Sequence, residues 1–527
     1  MFVDARSVPG GTVIESELCI VGAGAAGITI ARELIGAGFR VALIESGGLD
    51  FDSNTQALYA GSDIGRPFLD LTVCRLRYFG GTTNHWGGWC LPLDPVDFET
   101  RPGVPHSGWP FDRPYLDPWY KRAQPICQLG PFDYDIAAWG IDETLIPDPF
   151  RGPDFVVKML QESPPTRFGE VYRTALQQAG NVTVYLNANA LFFAANDEGT
   201  EVSHLPVKTL SGVDLVFKAK FYVLAAGGIE NARLLLLSGR TVAAGIGQPQ
   251  APVGRYFMTH LVYRGGVIVP TNPYIDLDFF TGRDGIHHVV DGVDRKFVSY
   301  FGLSDDTMRR QSLSGARFLW MYKFAPVADA VDAVKRLAER KDDRAKAWTD
   351  LGTVFRNIDG LAEQGARKVV LHEGLPVEAL DVGFSSEQLP NPESRVELGT
   401  DLDPLGLPRV AVDWQVTADD KRHAYRTVSL LGAELGKAGF GRLKSSLVDD
   451  DTTWPDNFYG DEHHTGTTRM HRDPTQGVVD ENCCVHGVAN LHVAGSSVFP
   501  TIGSANPTLT IVALALRLAD YLKRRLV

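Results

Sequence analysis

Gly22, Gly24 and Gly27 follow the apolar run Leu18-Cys19-Ile20-Val21 and open a helical pattern through Ile30, Leu34 and Ile35. At this spacing glycines permit a tight turn, close approach of the main chain to a pyrophosphate, and close packing of helix on strand. The helix start, with Ala25 and Ala26 in its first turn, offers unpaired N–H groups and a positive dipole end to phosphate. Glu45 ends the following strand, Val41–Glu45. A carboxylate there accepts hydrogen bonds from ribose hydroxyls and repels a 2′-phosphate. The unit predicts a dinucleotide other than NADP and leaves FAD and NAD both open. A second stretch, RYFGGTTNHWGG at 77–88, interleaves glycines with large aromatic residues, a composition suited to a loop pressed against a flat ligand.

Other chemistries find less support. Cys19, Cys74, Cys90, Cys127, Cys483 and Cys484 are too few and too scattered in 527 residues for a disulfide framework. No C-x-x-C occurs, and the adjacent pair Cys483-Cys484 reads as structural. No metal site is expected.

The elements that must hold the glycine turn begin with strand, turn, helix and strand within a βαβ-sized unit. A second α/β block runs from Val182 to Leu237, with the turn Ala226-Gly227-Gly228 before a helix from Asn231. Residues 106–165 are rich in Pro and aromatics, with little periodicity. Between 261 and 450 a charged amphipathic helix is predicted near Ala328–Arg344, with strand-like runs at 367–371, 395–398 and 409–415. Aromatics of this segment (Phe279, Phe280, Tyr300, Phe301, Phe318, Trp320, Tyr322) suit either ligand stacking or core. Near the C-terminus Asn490–Gly495 is a strand, and Asn506-Pro507 opens an amphipathic helix to about Lys523, with Pro at its first position.

Length alone suggests roughly three domain-sized units. Apolar residues make 44% and charged residues 22%, the balance of a globular protein with a large core. A formal net charge of −13 removes most of the electrostatic term of nucleic-acid binding. The N-terminal stretch has neither a basic n-region nor an apolar core, and Leu509–Leu518 is too short to span a bilayer. A cytoplasmic location without a membrane segment is the expectation.

Four stretches taken together resemble the glucose–methanol–choline (GMC) flavoprotein oxidoreductases: the GGTTNHWGG loop, GRYFMTH (254–260), HHTGTTRM (463–470), and the segment 478–522 ending in GSANPTLT and its helix. They occur in the family's order. The resemblance runs from residue 17 to the C-terminus and is weakest in 106–165 and 270–385. It implies an α/β fold: a discontinuous Rossmann-like FAD-binding domain (1–105, 166–260, 450–527) and a substrate-binding domain (106–165, 261–449) with a mixed or antiparallel sheet and covering helices. It also implies FAD as cofactor and oxidation of an alcohol, with a base taking the hydroxyl proton. A base of near-neutral pKa within hydrogen-bond reach is what such chemistry needs, and imidazole supplies it.

Residue by residue, the family's base position falls on His463, three residues before Gly466. His464 is its rival, but successive side chains of an extended segment point to opposite faces. The second active-site residue falls on Asn506, which at a helix start is also an ordinary N-cap. A His–Asn pair resembles the pyranose oxidase and cholesterol oxidase branches. The resemblance also assigns cofactor contacts to Gly22, Gly24, Ala25, Ala26, Gly27 and Glu45. From the aromatic loop it adds Gly80, Gly81, Thr82, Asn84, His85, Trp86 and Gly87. Ala190, Ala226, Gly495, Ser496, Pro507 and Thr508 complete the set. The loop resembles the pyranose oxidase loop whose His is bonded to the flavin, with Asn84 where Thr is usual. A covalent link through His85 and a packed, unbonded His85 both stay open. Arg255 and His260 match a segment read as structural. The expected substrate is a carbohydrate or glycoside oxidised at a ring secondary hydroxyl, C2 or C3, with O2 or a quinone as electron acceptor. A non-sugar alcohol (sterol or aromatic) and a flavin subunit of a multi-component dehydrogenase are the alternatives.

Overall fold

The computed structural model describes residues 1–139, 142–240, 246–247, 250–275, 277, 286–290, 292–324, 326–338, 349–350, 353–354, 356–357, 361 and 375–526. The strands that position the site are β1 (Val13–Val21), β2 (Val41–Ile44), β3 (Val182–Leu186), β4 (Asp214–Leu224), β5 (His260–Pro270), β6 (Val293–Leu303), β7 (Ala316–Phe324), β8 (Val377–Glu387) and β9 (Leu491–Val493). The helices are α1 (Ala25–Glu33), α2 (Arg113–Ile126), α3 (Glu230–Ser238), α4 (Ala418–Lys437) and α5 (Thr508–Leu526).

The first sheet places β3, β2, β1, β4 and β9 side by side, all parallel. Leu18–Val21 pairs with Val41–Ile44 on one side and Phe221–Leu224 on the other. A central parallel strand is covered on both faces, so it needs the unbroken apolar run seen here rather than alternation. α1 crosses from β1 to β2, and α5 packs on α1 and α2. Tyr120 Oη of α2 lies 2.7 Å from Thr510 Oγ1 of α5, a buried polar tie between those two helices.

The second sheet is antiparallel in the order β5–β8–β7–β6, followed by the strand Phe155–Glu162 and the short edge strand Trp89–Cys90. Tyr300, Phe301, Phe318 and Trp320 are buried. The Phe301 and Trp320 rings lie 4.4 Å apart between centroids. These aromatics are core. Phe279 and Phe280 lie outside the described residues, as do the run at 367–371 and the helix prediction beyond residue 338. The rest of that helix is present as Pro326–Ala338. The runs at 395–398 and 409–415 fall in an antiparallel pair, Arg395–Leu402 with Pro408–Asp413.

The segment 106–165 is more regular than its sequence suggests. α2 forms although Pro118 and Pro125 lie inside it, because Asp112 caps its start by accepting from Tyr115 N at 3.1 Å. Its buried face, Leu116, Tyr120, Ala123 and Ile126, then holds the helix on the core. The six cysteines are free thiols. Among the described residues no helix is long and apolar enough to cross a membrane.

Candidate active site

β1 ends in a turn that only glycine fits. Gly22 has φ 103°, and a Cβ on it would lie 2.5 Å from the Ala225 carbonyl oxygen. A Cβ on Gly27 would lie 1.9 Å from the Gly22 oxygen, so this glycine lets α1 press against β1. At Gly24 and Gly227 an added Cβ would meet nothing within 4 Å. Both face a cavity of about 720 Å3. Gly24 is the N-cap of α1 and no side chain caps that end, so its N–H groups are available to a ligand. Glu45 beside the turn accepts from Ala23 N at 3.0 Å and Gly47 N at 2.9 Å.

The same cavity is also lined by imidazole and amide. His463 and Asn506 both line it, with His463 Nε2 3.2 Å from Asn506 Nδ2. The partners fix every donor. His260 Nε2 lies 3.0 Å from the Gly503 carbonyl oxygen and must donate to it. Burial pushes the His260 imidazole below its ordinary value, so it is neutral and its Nδ1 carries a lone pair. That Nδ1 lies 2.8 Å from His463 Nδ1, which therefore carries the proton and shares it with Asp461 Oδ2 at 2.6 Å. His463 Nε2 is left as an acceptor, and it takes a hydrogen bond from Asn506 Nδ2 at the cavity wall. Asn506 Oδ1 accepts from Arg317, which turns Nδ2 toward His463. The amide oxygen is thus held by Arg317, and one of the two Nδ2–H groups meets His463.

Asp461 is built to stay charged. Burial would raise its carboxyl, but the His463 imidazole against it outweighs that and holds it well below the usual carboxylate range. Its Oδ1 accepts from Thr259 Oγ1 at 2.8 Å and His463 N at 3.0 Å. Such a dyad can take a proton at Nε2 while Asp461 stabilises the resulting imidazolium. His260, Asp461 and His463 are also donors of the metal-ligating type, within 4.8 Å of one another. Their close contacts are of hydrogen-bond length, shorter than the roughly 3.3 Å between ligands at Zn–N distances of about 2.0 Å. His464, next along the chain, also lines the cavity but is held among aromatic rings. Its ring packs 5.5 Å from Phe68 and 5.9 Å from Phe257, and burial, then the Arg75 charge, pulls it down to about 3.

Residues 17–306 match the family model described as FAD dependent oxidoreductase, and residues 390–515 match that of GMC oxidoreductase. The chain is a GMC-type FAD dependent oxidoreductase. Among its relatives is a 2-methyl-1,2-propanediol dehydrogenase of Mycolicibacterium austroafricanum, 22% identical over 97% of this chain and 96% of that one. A C-glycoside 3-oxidase of Microbacterium trichothecenolyticum is 35% identical over 23% of each chain. The pyridoxine 4-oxidase structure from Mesorbium loti shares the fold, with a TM-score of 0.55 at 17% identity, covering 96% of this chain and 98% of that one.

The cavity of this GMC-type oxidoreductase suits FAD on its own geometry. It offers bare glycine main chain and a free helix N-terminus for phosphates, a carboxylate for ribose, and an aromatic loop for a flat ring system. Gly22, Gly24, Ala25, Ala26, Glu45, Gly81, Thr82, His85, Trp86, Gly87, Ala190, Ala226, Gly495, Ser496, Pro507 and Thr508 all line it and would hold the cofactor. Three expected contacts do not line it. Gly27 is spent on helix packing. Gly80 and Asn84 shape the loop instead: Gly80 has φ 99°, and Asn84 Nδ2 donates to Phe79 O at 3.0 Å.

Several residues of the site carried no signal that the sequence reading used. Asp461 stands two positions before His463, a spacing that puts both on one face of an extended segment, so this pair was findable. His260, expected to be structural only, touches the imidazole of His463; the two are 203 positions apart and no local pattern joins them. Glu230, with Arg75 at 3.2 Å, Arg233 at 3.3 Å and Arg77 at 3.5 Å, lines the same cavity. Burial would raise Glu230, but the charges of Arg233, Arg75 and Arg77 outweigh it and hold the carboxyl at about 2.

Proposed function

We propose that the enzyme oxidises a ring secondary hydroxyl, at C2 or C3, of a carbohydrate or glycoside to a ketone. The observation that carries this reading is the His463–Asn506 couple, facing one cavity with the glycine turn. A substrate hydroxyl enters between the two by displacing Asn506 from His463 Nε2: the amide Nδ2–H then donates to the hydroxyl oxygen, and His463 Nε2 receives its proton. Bound FAD supplies the acceptor for the hydride that leaves the same carbon, so that C–OH becomes C=O. Pro507 and Thr508 bring the positive end of α5 to the same place, where it favours negative charge. Residues 1–105, 166–260 and 450–527 serve the cofactor in this reading; 106–165 and 261–449 serve the substrate. O2 or a quinone reoxidises the cofactor.

The C-glycoside 3-oxidase likeness, over 23% of the chain, supports a sugar. The 2-methyl-1,2-propanediol dehydrogenase likeness, over 97%, favours the second reading, a small non-sugar alcohol. Anaerobic bleaching of the flavin absorbance with a panel of monosaccharides, glycosides and aliphatic diols separates them. Bleaching by diols alone removes the sugar reading, and NMR of the product fixes the carbon oxidised.

A further inference from the structure

One wall of the cavity belongs to the second sheet. Val262 of β5, Ser385 of β8 and Arg317 of β7 are directly paired across neighbouring strands and all line the cavity. Two of the three are polar, and both have capacity to spare. Ser385 Oγ is buried with no hydrogen-bond partner among the described residues. Arg317 is 8% exposed, gives one N–H to Asn506, and makes no ion pair with a carboxylate among the described residues. The carboxylate nearest in influence, Asp461, is already shared with His463.

Burial without a carboxylate is not the signal by itself. Arg469 and Arg517 share it, and all three lie over a ring (Tyr256, Phe111 and, at 6.0 Å, Tyr300 for Arg317), but Arg469 and Arg517 donate to the main-chain oxygens of His106 and Glu481 and do not line the cavity. Arg317 differs in facing the space where substrate must sit. A buried cation is costly unless an opposite charge or several acceptors meet it. A guanidinium beside a hydroxyl is matched by a carboxylate, which takes charge-assisted hydrogen bonds from both.

We propose that Arg317 and Ser385 form an anion subsite next to the His463–Asn506 couple, and that the preferred alcohol carries a carboxylate near the carbon oxidised, as a hydroxy acid or an acidic sugar does. This rests on the reading of His463 and Asn506 as the alcohol site. The same contact makes Arg317 a positioning residue for Asn506, because it fixes which way the amide faces.

The test uses the holoenzyme and variants whose flavin content and melting temperature match wild type. Sodium acetate is titrated calorimetrically at constant ionic strength. Rates are then compared for methyl β-glucopyranoside against its uronate and for 1,2-propanediol against lactate. Loss of charge-assisted hydrogen bonds predicts about a 10- to 100-fold weaker acetate affinity in Arg317→Met, a smaller loss in Ser385→Ala, and partial retention in Arg317→Lys. At least one acid is expected to exceed its neutral partner in kcat/KM by about 10-fold, and Arg317→Met to abolish that preference mainly through KM. Unchanged acetate affinity in Arg317→Met overturns the subsite. So does a wild type that prefers no acid, or a variant that slows acid and neutral substrates equally, which would leave Arg317 with Asn506 alone. If no compound reduces the flavin, the alcohol-site reading fails, while the acetate titration still decides the subsite.

Discussion

The Asp461 carboxylate lies 2.6 Å from Nδ1 of His463 and leaves only Nε2 to meet a substrate. Replacing Asp461 by Asn removes the charge that stabilises an imidazolium and permits the other tautomer. His463→Ala is expected to slow anaerobic flavin reduction by about 10²- to 10⁴-fold, the usual contribution of a positioned base. Asp461→Asn should fall in the same range. His464→Phe should leave the rate near wild type, since that ring packs with Phe68 and Phe257 and is pulled to about 3 by burial, then the Arg75 charge. Stopped-flow measurement with the three variants checks this, and a His463→Ala enzyme that kept most of its rate would remove the base assignment. At the mouth of the aromatic loop, His85 lines the cavity. If it is bonded to the flavin, acid precipitation leaves the yellow colour in the pellet, and His85→Ala moves it to the supernatant. Colour released from the wild type would exclude the bond.

The turn between β1 and α1 separates two kinds of glycine. A Cβ at Gly27 would lie 1.9 Å from main-chain oxygen, so Gly27→Ala must push the helix off the strand and should cost about 1–3 kcal/mol, with a lower melting temperature even without cofactor. Gly24 has φ −86°, and its Cβ would enter open cavity, so Gly24→Ala should fold normally and lose FAD affinity instead. Thermal scans of apoprotein and FAD titrations distinguish the two outcomes; a Gly24→Ala protein with wild-type FAD affinity would place the phosphates elsewhere. This element was legible beforehand because its signal is local: apolar strand, spaced glycines, helix, and a carboxylate at the next strand end. The His–Asn end was legible through the chain's resemblance to a family, whereas extended geometry did not separate His463 from His464, since both line the cavity. What was not legible was whatever the second sheet brings in. Arg317 and Ser385 meet because β7 and β8 pair in one register, and His260 meets His463 across 203 positions. Register between distant strands is a tertiary property, and no window of sequence contains it. The helix α2 was missed for the opposite reason: its prolines outweighed a cap and a buried face that only packing makes visible.

Across the whole molecule, the histidines outside the cavity tie stability to pH. His423 of α4 accepts from Ser314 N at 3.1 Å, joining that helix to the loop before β7. His492 of β9 packs 5.7 Å from Tyr521 of α5, with neither ring nitrogen bonded among the described residues. Burial, followed by the charges of Arg426 and Arg525 respectively, pulls each imidazole from 6.5 down to about 4. The unfolded chain therefore binds these protons first as pH falls. Their contribution is fully present above about pH 6.5 and is lost progressively down to about pH 4, and by pH 5 each costs about 2 kcal/mol. Unfolding by urea at pH 7 and pH 5 should show that loss. His492→Leu, which removes the titrating ring but keeps an apolar side chain against Tyr521, should reduce the difference between the two pH values by about 2 kcal/mol. If the variant and wild type lose the same stability over that interval, His492 is protonated in the folded state and its surroundings admit water.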